Sequence, residues 1–347
     1  MKKTLAALIV SAVAASAANA AVVYDNEGTK VELNGSLRLI MEKADKKVYN
    51  AANQSTKKAN SALRNAGSRF GITVKHNLDN DFYALGRLEF RFDDTTSRDK
   101  FGRLYAKRAY VGLGSKATGD ITFGRQLTIA DDLSQANDYE YGFIPKGDYI
   151  PTAGTGVVRY DYKGIEGLQL SANYNFGQTN DEKGNPLKPG IKNAYAVGAL
   201  YTVGDLDARL AYGHTNFETG ASYTHRLDGV LASLGYKFGD FTLTGDFGYG
   251  HEKFDDAKVN KFYVSPGFAY QVVPASKVYG NYLYERVKGE SDKDKTHGFL
   301  LGADYKLHKQ VVLFVEGKYV TTKSYVNDSY DGKVKDRAIG VGMRVFF

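Results

Sequence analysis

The last eleven residues, Arg337-Ala-Ile-Gly-Val-Gly-Met-Arg-Val-Phe-Phe347, constrain the fold more than any other stretch of the chain. Ile339, Val341, Met343, Val345 and Phe347 share one parity, and Ala338, Gly340, Gly342, Arg344 and Phe346 share the other. Successive side chains of a strand point to opposite faces. One face is therefore wholly apolar, and the other is small or charged with a single aromatic. A soluble sandwich strand could carry the same pattern. A chain that closes on such a strand and opens on an export signal predicts a transmembrane barrel, apolar toward lipid and polar toward a lumen.

The export signal is legible in residues 1–20. Lys2 and Lys3 form a charged start, Leu5 to Val13 an apolar run, and Ala18-Asn19-Ala20 a small-x-small cleavage site. Cleavage leaves 21–347 as one barrel domain. The apolar run is too short and too alanine-rich for a spanning helix, and no later run approaches the roughly eighteen residues that one requires. If the mature chain lies in a membrane, closed β-structure is the remaining way to pair every backbone group. Cysteine is absent, so no disulfide supports the exported chain. The 26 tyrosines and 19 phenylalanines, without tryptophan, suit interfacial girdles, although these residues favour any half-buried strand. The formal charge of +7 is spread among interleaved acids and bases, which argues against nucleic acid as a partner.

Alternation recurs about every twenty residues. Seven short turns carry Gly, Asn, Asp, Pro or His: 77–81, 114–119, 164–167, 204–205, 239–240, 274–276 and 308–309. Eight charge-rich connectors alternate with them: 42–66, 93–101, 127–155, 178–192, 217–225, 252–260, 288–296 and 322–336. These fifteen connections join sixteen antiparallel strands, with both termini on the periplasmic side. A charge facing lipid at mid-depth costs on the order of 2–4 kcal/mol, so the charged parity must face inward. Eight strands would fill their interior with side chains, whereas sixteen leave a water-filled channel. Some strands read less cleanly. Lys107 and Arg108 are adjacent, so one faces outward; Pro266 interrupts a strand; Arg125 shares the outward parity of Ile121 and Phe123, which predicts a subunit contact.

Connector 127–155 is the longest. It holds Asp131, Asp132, Asp138, Glu140 and Asp148 against Lys146 alone, together with apolar anchors from Leu127 to Ile150. A long loop so anchored is predicted to fold into the lumen, apolar side on the wall and acids toward the water path. Arg38, Arg69, Lys75, Arg87, Arg91 and either Lys107 or Arg108 lie on the inward parity of the early strands. Opposed acids and bases would set a transverse field, roughly 1.7 kcal/mol per pair at about 10 Å and an effective dielectric of about 20.

The chain resembles the general, non-specific porins of Gram-negative outer membranes, in particular their Pasteurellaceae branch. The resemblance lies in AVVYDNEGTKVELNGSLRL, SRFGITVKHNLDNDFYALGRLEFRF, RAYVGLGSKATGDITFGRQ, the long connector, VRYDYKGIEGLQL and RAIGVGMRVFF, in order along the mature chain. It implies a homotrimer of 16-stranded antiparallel β-barrels in the outer membrane, each with its third loop in the lumen, passing ions and small hydrophilic solutes by passive diffusion. It implies a constriction of Asp132, Asp138 and Glu140 facing Arg38 and Arg69, with Arg87, Lys107 and Arg159 as weaker candidates. Arg38 stands two residues beyond the usual basic position, which Ser36 occupies, and the loop lacks the family's frequent Pro-Glu-Phe-Gly-Gly turn. Arg125 resembles a subunit-interface arginine that could pair with Asp94 or Asp99 of a neighbour, and Phe347 the signal read by the outer-membrane assembly machinery. Lysines of the first long connector could attract lipopolysaccharide. Neither a cofactor nor a metal is implied.

Three rival functions can be weighed on the same residues. A barrel hydrolase needs a nucleophile beside an oriented base; the six histidines lie near strand ends or turns and form neither a Ser/His pair nor metal-ligand spacing. A sugar- or phosphate-specific channel would carry an aromatic track or a lysine ladder, whereas the inward parity here is mixed polar. A surface adhesin would use the charged outer loops and would favour a plugged barrel.

Overall fold

The computed structural model describes residues 20–93, 101–219 and 224–347. The export signal, and Asp94 and Asp99, lie outside these residues. The barrel begins with β1 (Thr29–Asn50), β2 (Ser55–Asn65, continuing as Arg69–Asn77), β3 (Phe82–Asp93), β4 (Arg103–Ser115) and β5 (Gly119–Leu127). It continues through β6 (Ala153–Ile165), β7 (Leu168–Asn175, continuing as Gln178–Asn180), β8 (Pro186–Val203), β9 (Leu206–Phe217) and β10 (His225–Phe238). It ends with β11 (Phe241–Phe254), β12 (Ala257–Val273), β13 (Ser276–Lys288), β14 (Asp292–His308), β15 (Val311–Val326) and β16 (Ser329–Phe346). Each strand pairs antiparallel with the next, and β16 pairs with β1, which closes a ring of sixteen. Closure removes the unpaired edges that an open sheet would expose.

The ends of the chain meet at the seam. Phe347 exchanges backbone hydrogen bonds of 2.8 and 3.1 Å with Gly35. The short strand Ala21–Asn26 then pairs Ala21 with Leu33, so it extends the line of β16 along β1.

The alternation read in the sequence sorts the side chains as expected. Met41, Val111 and Leu301 are 62, 65 and 60% exposed, although they lie in mid-strand. Their opposite-parity neighbours Ile40, Leu300 and Gly302 are buried. So large an exposed apolar belt has no explanation on a soluble monomer and fits hydrocarbon. Acids of the inner parity, Asp246, Asp304 and Glu316, are almost wholly buried.

Two readings of the sequence are corrected. Much of the charge-rich connectors 42–66, 252–260, 288–296 and 322–336 is strand: the chain reverses within 51–54, 255–256, 289–291 and 327–328. Charge does not interrupt pairing above the lipid layer, where both faces can be wet; what breaks the ladder is the left-handed backbone of Asn53, Asp255, Asn327 and Asp328. The Lys107–Arg108 conflict is solved by a bulge. Register slips between Glu89 and Phe90, Arg108 sits opposite Glu89, and Lys107 is the extra residue. At Pro266, which has no donor, β12 and β13 lose pairing between Val264 and Gly267.

Candidate functional site

The long connector shortens to 128–152 and is pinched at its base, where Thr128 N–H donates to the Thr152 carbonyl at 3.0 Å and the Thr128 hydroxyl to that of Pro151 at 2.6 Å. A 3-10 turn, Ile129–Leu133, starts from the Thr128 cap, and a second covers Lys146–Asp148. Ile129, Leu133, Tyr149 and Ile150 pack on Ala196, Ala211, Leu231 and Tyr263. The wall is small where the connector lies on it. A Cβ at Gly229 would overlap the Tyr149 carbonyl oxygen, so only glycine admits that approach.

From there the segment is tied to strand after strand. Ser134 donates to Asp246 at 2.5 Å, and Gln135 to Ser233 at 3.1 Å. Tyr139 donates its hydroxyl to Asp304 at 2.7 Å, and Tyr149 donates to Glu285 at 3.0 Å. The tip is held by one carboxylate: Glu316 accepts from the backbone N–H of Tyr139, Glu140 and Tyr141 at 2.6, 2.8 and 2.6 Å and from the Tyr279 hydroxyl at 2.7 Å. Four donors around a buried acid form a strong anchor.

The acids of the connector have partners. Asp132 pairs with Arg159 of β6 at 2.7 Å, and Asp131 with Lys146 at 3.3 Å. Glu140 accepts from Arg64 of β2 at 2.6 Å, and Arg64 also holds Glu42 with bonds of 2.8 and 2.9 Å. Asp138 lies against Gly142, near Glu316, Arg344, Lys146 and Lys277. The Asp138 side chain is exposed, but the protein that surrounds it inside the barrel, with the Glu316 charge adding to it, pushes its carboxyl up to about 6.

The bases of the wall are balanced differently. Arg344 of β16 stands directly opposite Arg38 of β1, and Arg69 of β2 directly opposite Arg91 of β3. Glu89 is the acid among them, 2% exposed, bonded to Arg87 at 2.8 Å and Arg91 at 2.6 Å and within 3.7 Å of Arg108. Arg38 donates to the Ser36 hydroxyl at 2.7 Å, Arg69 to the Gly67 carbonyl at 3.1 Å, and Arg344 to the Tyr139 carbonyl while lying over the Tyr139 ring.

Arg38, Arg69 and Arg87 thus share one inward surface, whereas Asp132, Asp138 and Glu140 lie along the connector. Lys107 joins neither group: its ammonium pairs with Glu182. Arg125 sits at a slip of register and donates to the Ala106 and Glu182 carbonyls of its own chain, both at 3.0 Å. Glu316, Arg64 and Arg344 carry more of the arrangement than the sequence reading gave them. For Glu316 and Arg344 the signal was a lone charge on the inward parity of an otherwise small or apolar stretch, as in Val311-Val-Leu-Phe-Val-Glu-Gly317; Arg64, in a polar strand, had none. Among the described residues no group of His, Asp or Glu is placed to hold a metal ion.

A family model described as Gram-negative porin matches residues 4–325. The chain belongs to the Gram-negative porin family. Two proteins named major outer membrane protein, both from Pasteurella multocida, are each 31% identical to this porin over the whole of both chains. Among solved structures, OmpT of Vibrio cholerae superposes with a TM-score of 0.70 at 17% identity, covering 94% of the porin and all of OmpT. The outer membrane channel DcaP of Acinetobacter baumannii gives 0.70 at 19%, covering 94% of this chain and all of that one. An anion-selective porin from Comamonas acidovorans gives 0.66 at 18%, covering 92% and 100%. The porin is an outer-membrane β-barrel channel.

Proposed function

We propose that this porin is a general diffusion channel for ions and small hydrophilic solutes, narrowed by segment 128–152 crossing its lumen. One observation carries this reading. A single segment bonds to Arg159 of β6, to inner-face residues of β9, β10, β11, β13, β14 and β15, and to Glu42 and Arg64 on β1 and β2. In a closed ring, a segment reaching so far around the inner faces runs through the enclosed space. The segment hugs the wall from β7 to β1, which leaves the water path against β2–β5. Asp132, Asp138 and Glu140 then line the segment's side of the constriction, and Arg38, Arg69 and Arg87 the other. Lys107 is bound to Glu182.

The working unit of this reading is a homotrimer exported through the periplasm after cleavage at Ala20, with Arg125 near the subunit contact and the Phe347 strand presented to the assembly machinery. The trimer form described for OmpT supports it. Outward-facing Arg286, Lys295, Lys323 and Lys333 stand in register on adjacent strands and suit lipopolysaccharide phosphates.

The test is single-channel recording of purified, refolded protein in a planar bilayer. Ohmic steps arriving in threes are expected. Silence from protein whose folding is verified by heat-modifiable gel mobility overturns the reading in favour of a plugged barrel.

A further inference from the structure

The geometry points to an oxyanion-binding site on the inner wall, formed by Arg38, Arg69, Arg91, Arg108 and Arg344, that takes solutes of two or more negative charges such as phosphate, pyrophosphate or phosphate esters. The inference rests on the diffusion-channel reading and gives that channel a preferred class of solute.

Like charges directly opposite one another destabilise a strand pair. Here two such pairs, Arg344/Arg38 and Arg69/Arg91, occur on four consecutive strands across the barrel seam. Arg38 is within electrostatic reach of Arg344, Arg69 and Arg91, and Arg69 of Arg108. The acid set among them, Glu89, is already shared by three guanidinium groups and cannot neutralise five. The Nε atoms of Arg108 and Arg344 are buried without a hydrogen-bond partner. The side chains themselves are only part-buried, so a solute can reach them: those of Arg91 and Arg108 are each 18% exposed.

A surface that gathers uncompensated cations, orphan donors and rigid side chains favours a multivalent anion. A guanidinium presents a planar fork that matches two oxygens of a phosphate, and its charge survives at any relevant pH. Chloride can neutralise but cannot bridge these forks; a tetrahedral oxyanion can span two of them. Of the acids of segment 128–152, Asp132 and Glu140 are held by Arg159 and Arg64, and Asp138, beside Arg344, also faces Lys146 and Lys277.

Pyrophosphate is the probe. In a bilayer bathed in about 0.1 M KCl, where screening extends over about 10 Å, added inorganic pyrophosphate should reduce the chloride current with a saturating dependence on its concentration. Arg69→Gln and Arg344→Gln should each weaken half-block about tenfold, Arg69→Lys less, because charge remains but the fork is lost. Lys253→Gln, on the outer face of β11, should leave block unchanged. An open, ohmic channel indifferent to pyrophosphate, or blocked equally in wild type and both glutamine variants, overturns the site and leaves the diffusion reading standing. Absence of current from folded wild type overturns the diffusion reading, and the site with it.

Discussion

Segment 128–152 and the arginine-bearing wall of β16 and β1–β4 differ in how their charges are balanced. On segment 128–152, Asp131, Asp132 and Glu140 each have a basic partner within 3.3 Å, and Asp138 lies beside Arg344 and Lys277. On the facing wall, arginines stand opposite arginines, and Glu89 serves three of them. On the proposed reading the acids serve mainly to fasten the segment, while the arginines keep their charge available to solutes, and the transverse field expected from residue types becomes one-sided and favours anions.

Removing Glu316 should break this contrast most thoroughly. Glu316→Ala leaves the three N–H groups of the tip without their acceptor, and each buried orphan donor costs about 1–3 kcal/mol. The segment should come off the wall near β15. We expect frequent current interruptions in bilayers, new protease cuts between Asn137 and Phe143, and a lower gel-shift temperature. Steady wild-type current from Glu316→Ala would show that the apolar packing of Ile129, Leu133 and Ile150 holds the segment by itself.

How much of this was legible depends on the range of the interaction. Alternation is local, so strand faces, strand number and the inward placement of Arg38, Arg69 and Arg87 could be read directly. The sequence also marked the long connector, because its apolar residues and its acids are both dense. Which acid meets which base was not legible. Glu140 meets Arg64, 76 positions away, and Tyr139 meets Glu316, 177 positions away. Such pairings follow from the path the segment takes across a closed ring. Lys107 shows the complementary failure. Its parity was undecidable because a bulge opposite Glu89 and Phe90 resets the alternation there.

Arg64→Gln should tilt the comparison toward cations. It removes one base and releases Glu140 together with Glu42, which Arg64 holds on both oxygens. The chloride-to-potassium permeability ratio should fall roughly two- to fivefold, since about 1.7 kcal/mol per charge at about 10 Å is reduced further by salt. An unchanged reversal potential would place Glu140 outside the ion path.

Acidification should act in the other direction and more weakly. The Asp138 carboxyl takes up a proton as pH falls through about 6. Its charge beside Arg344 then disappears, and anion preference should rise between pH 7 and pH 5. Asp138→Asn should start at the acidic value and lose the step. The linkage to stability has the same sign. The folded state binds this proton more tightly than an unfolded chain with the ordinary carboxyl value of 3.8, so Asp138 contributes stability that is gained as pH falls through about 6 and lost as it rises.

The smallest effect should come from Asp132→Asn. Arg159 loses the 2.7 Å partner on the segment but keeps Asp161, to which its Nε donates at 2.9 Å. It therefore stays on the wall with its charge still half-satisfied, and the permeability ratio should move toward anions by less than about twofold. That small change separates removing an acid from removing its base. Asp132 and Glu140 each share an arginine with a wall carboxylate, Asp161 and Glu42, so loss of the acid leaves the arginine held, whereas Arg64→Gln releases two acids at once. A large response to Asp132→Asn would mean that Arg159 swings into the water path once freed, adding β6 to the arginine surface that now spans β16 to β4.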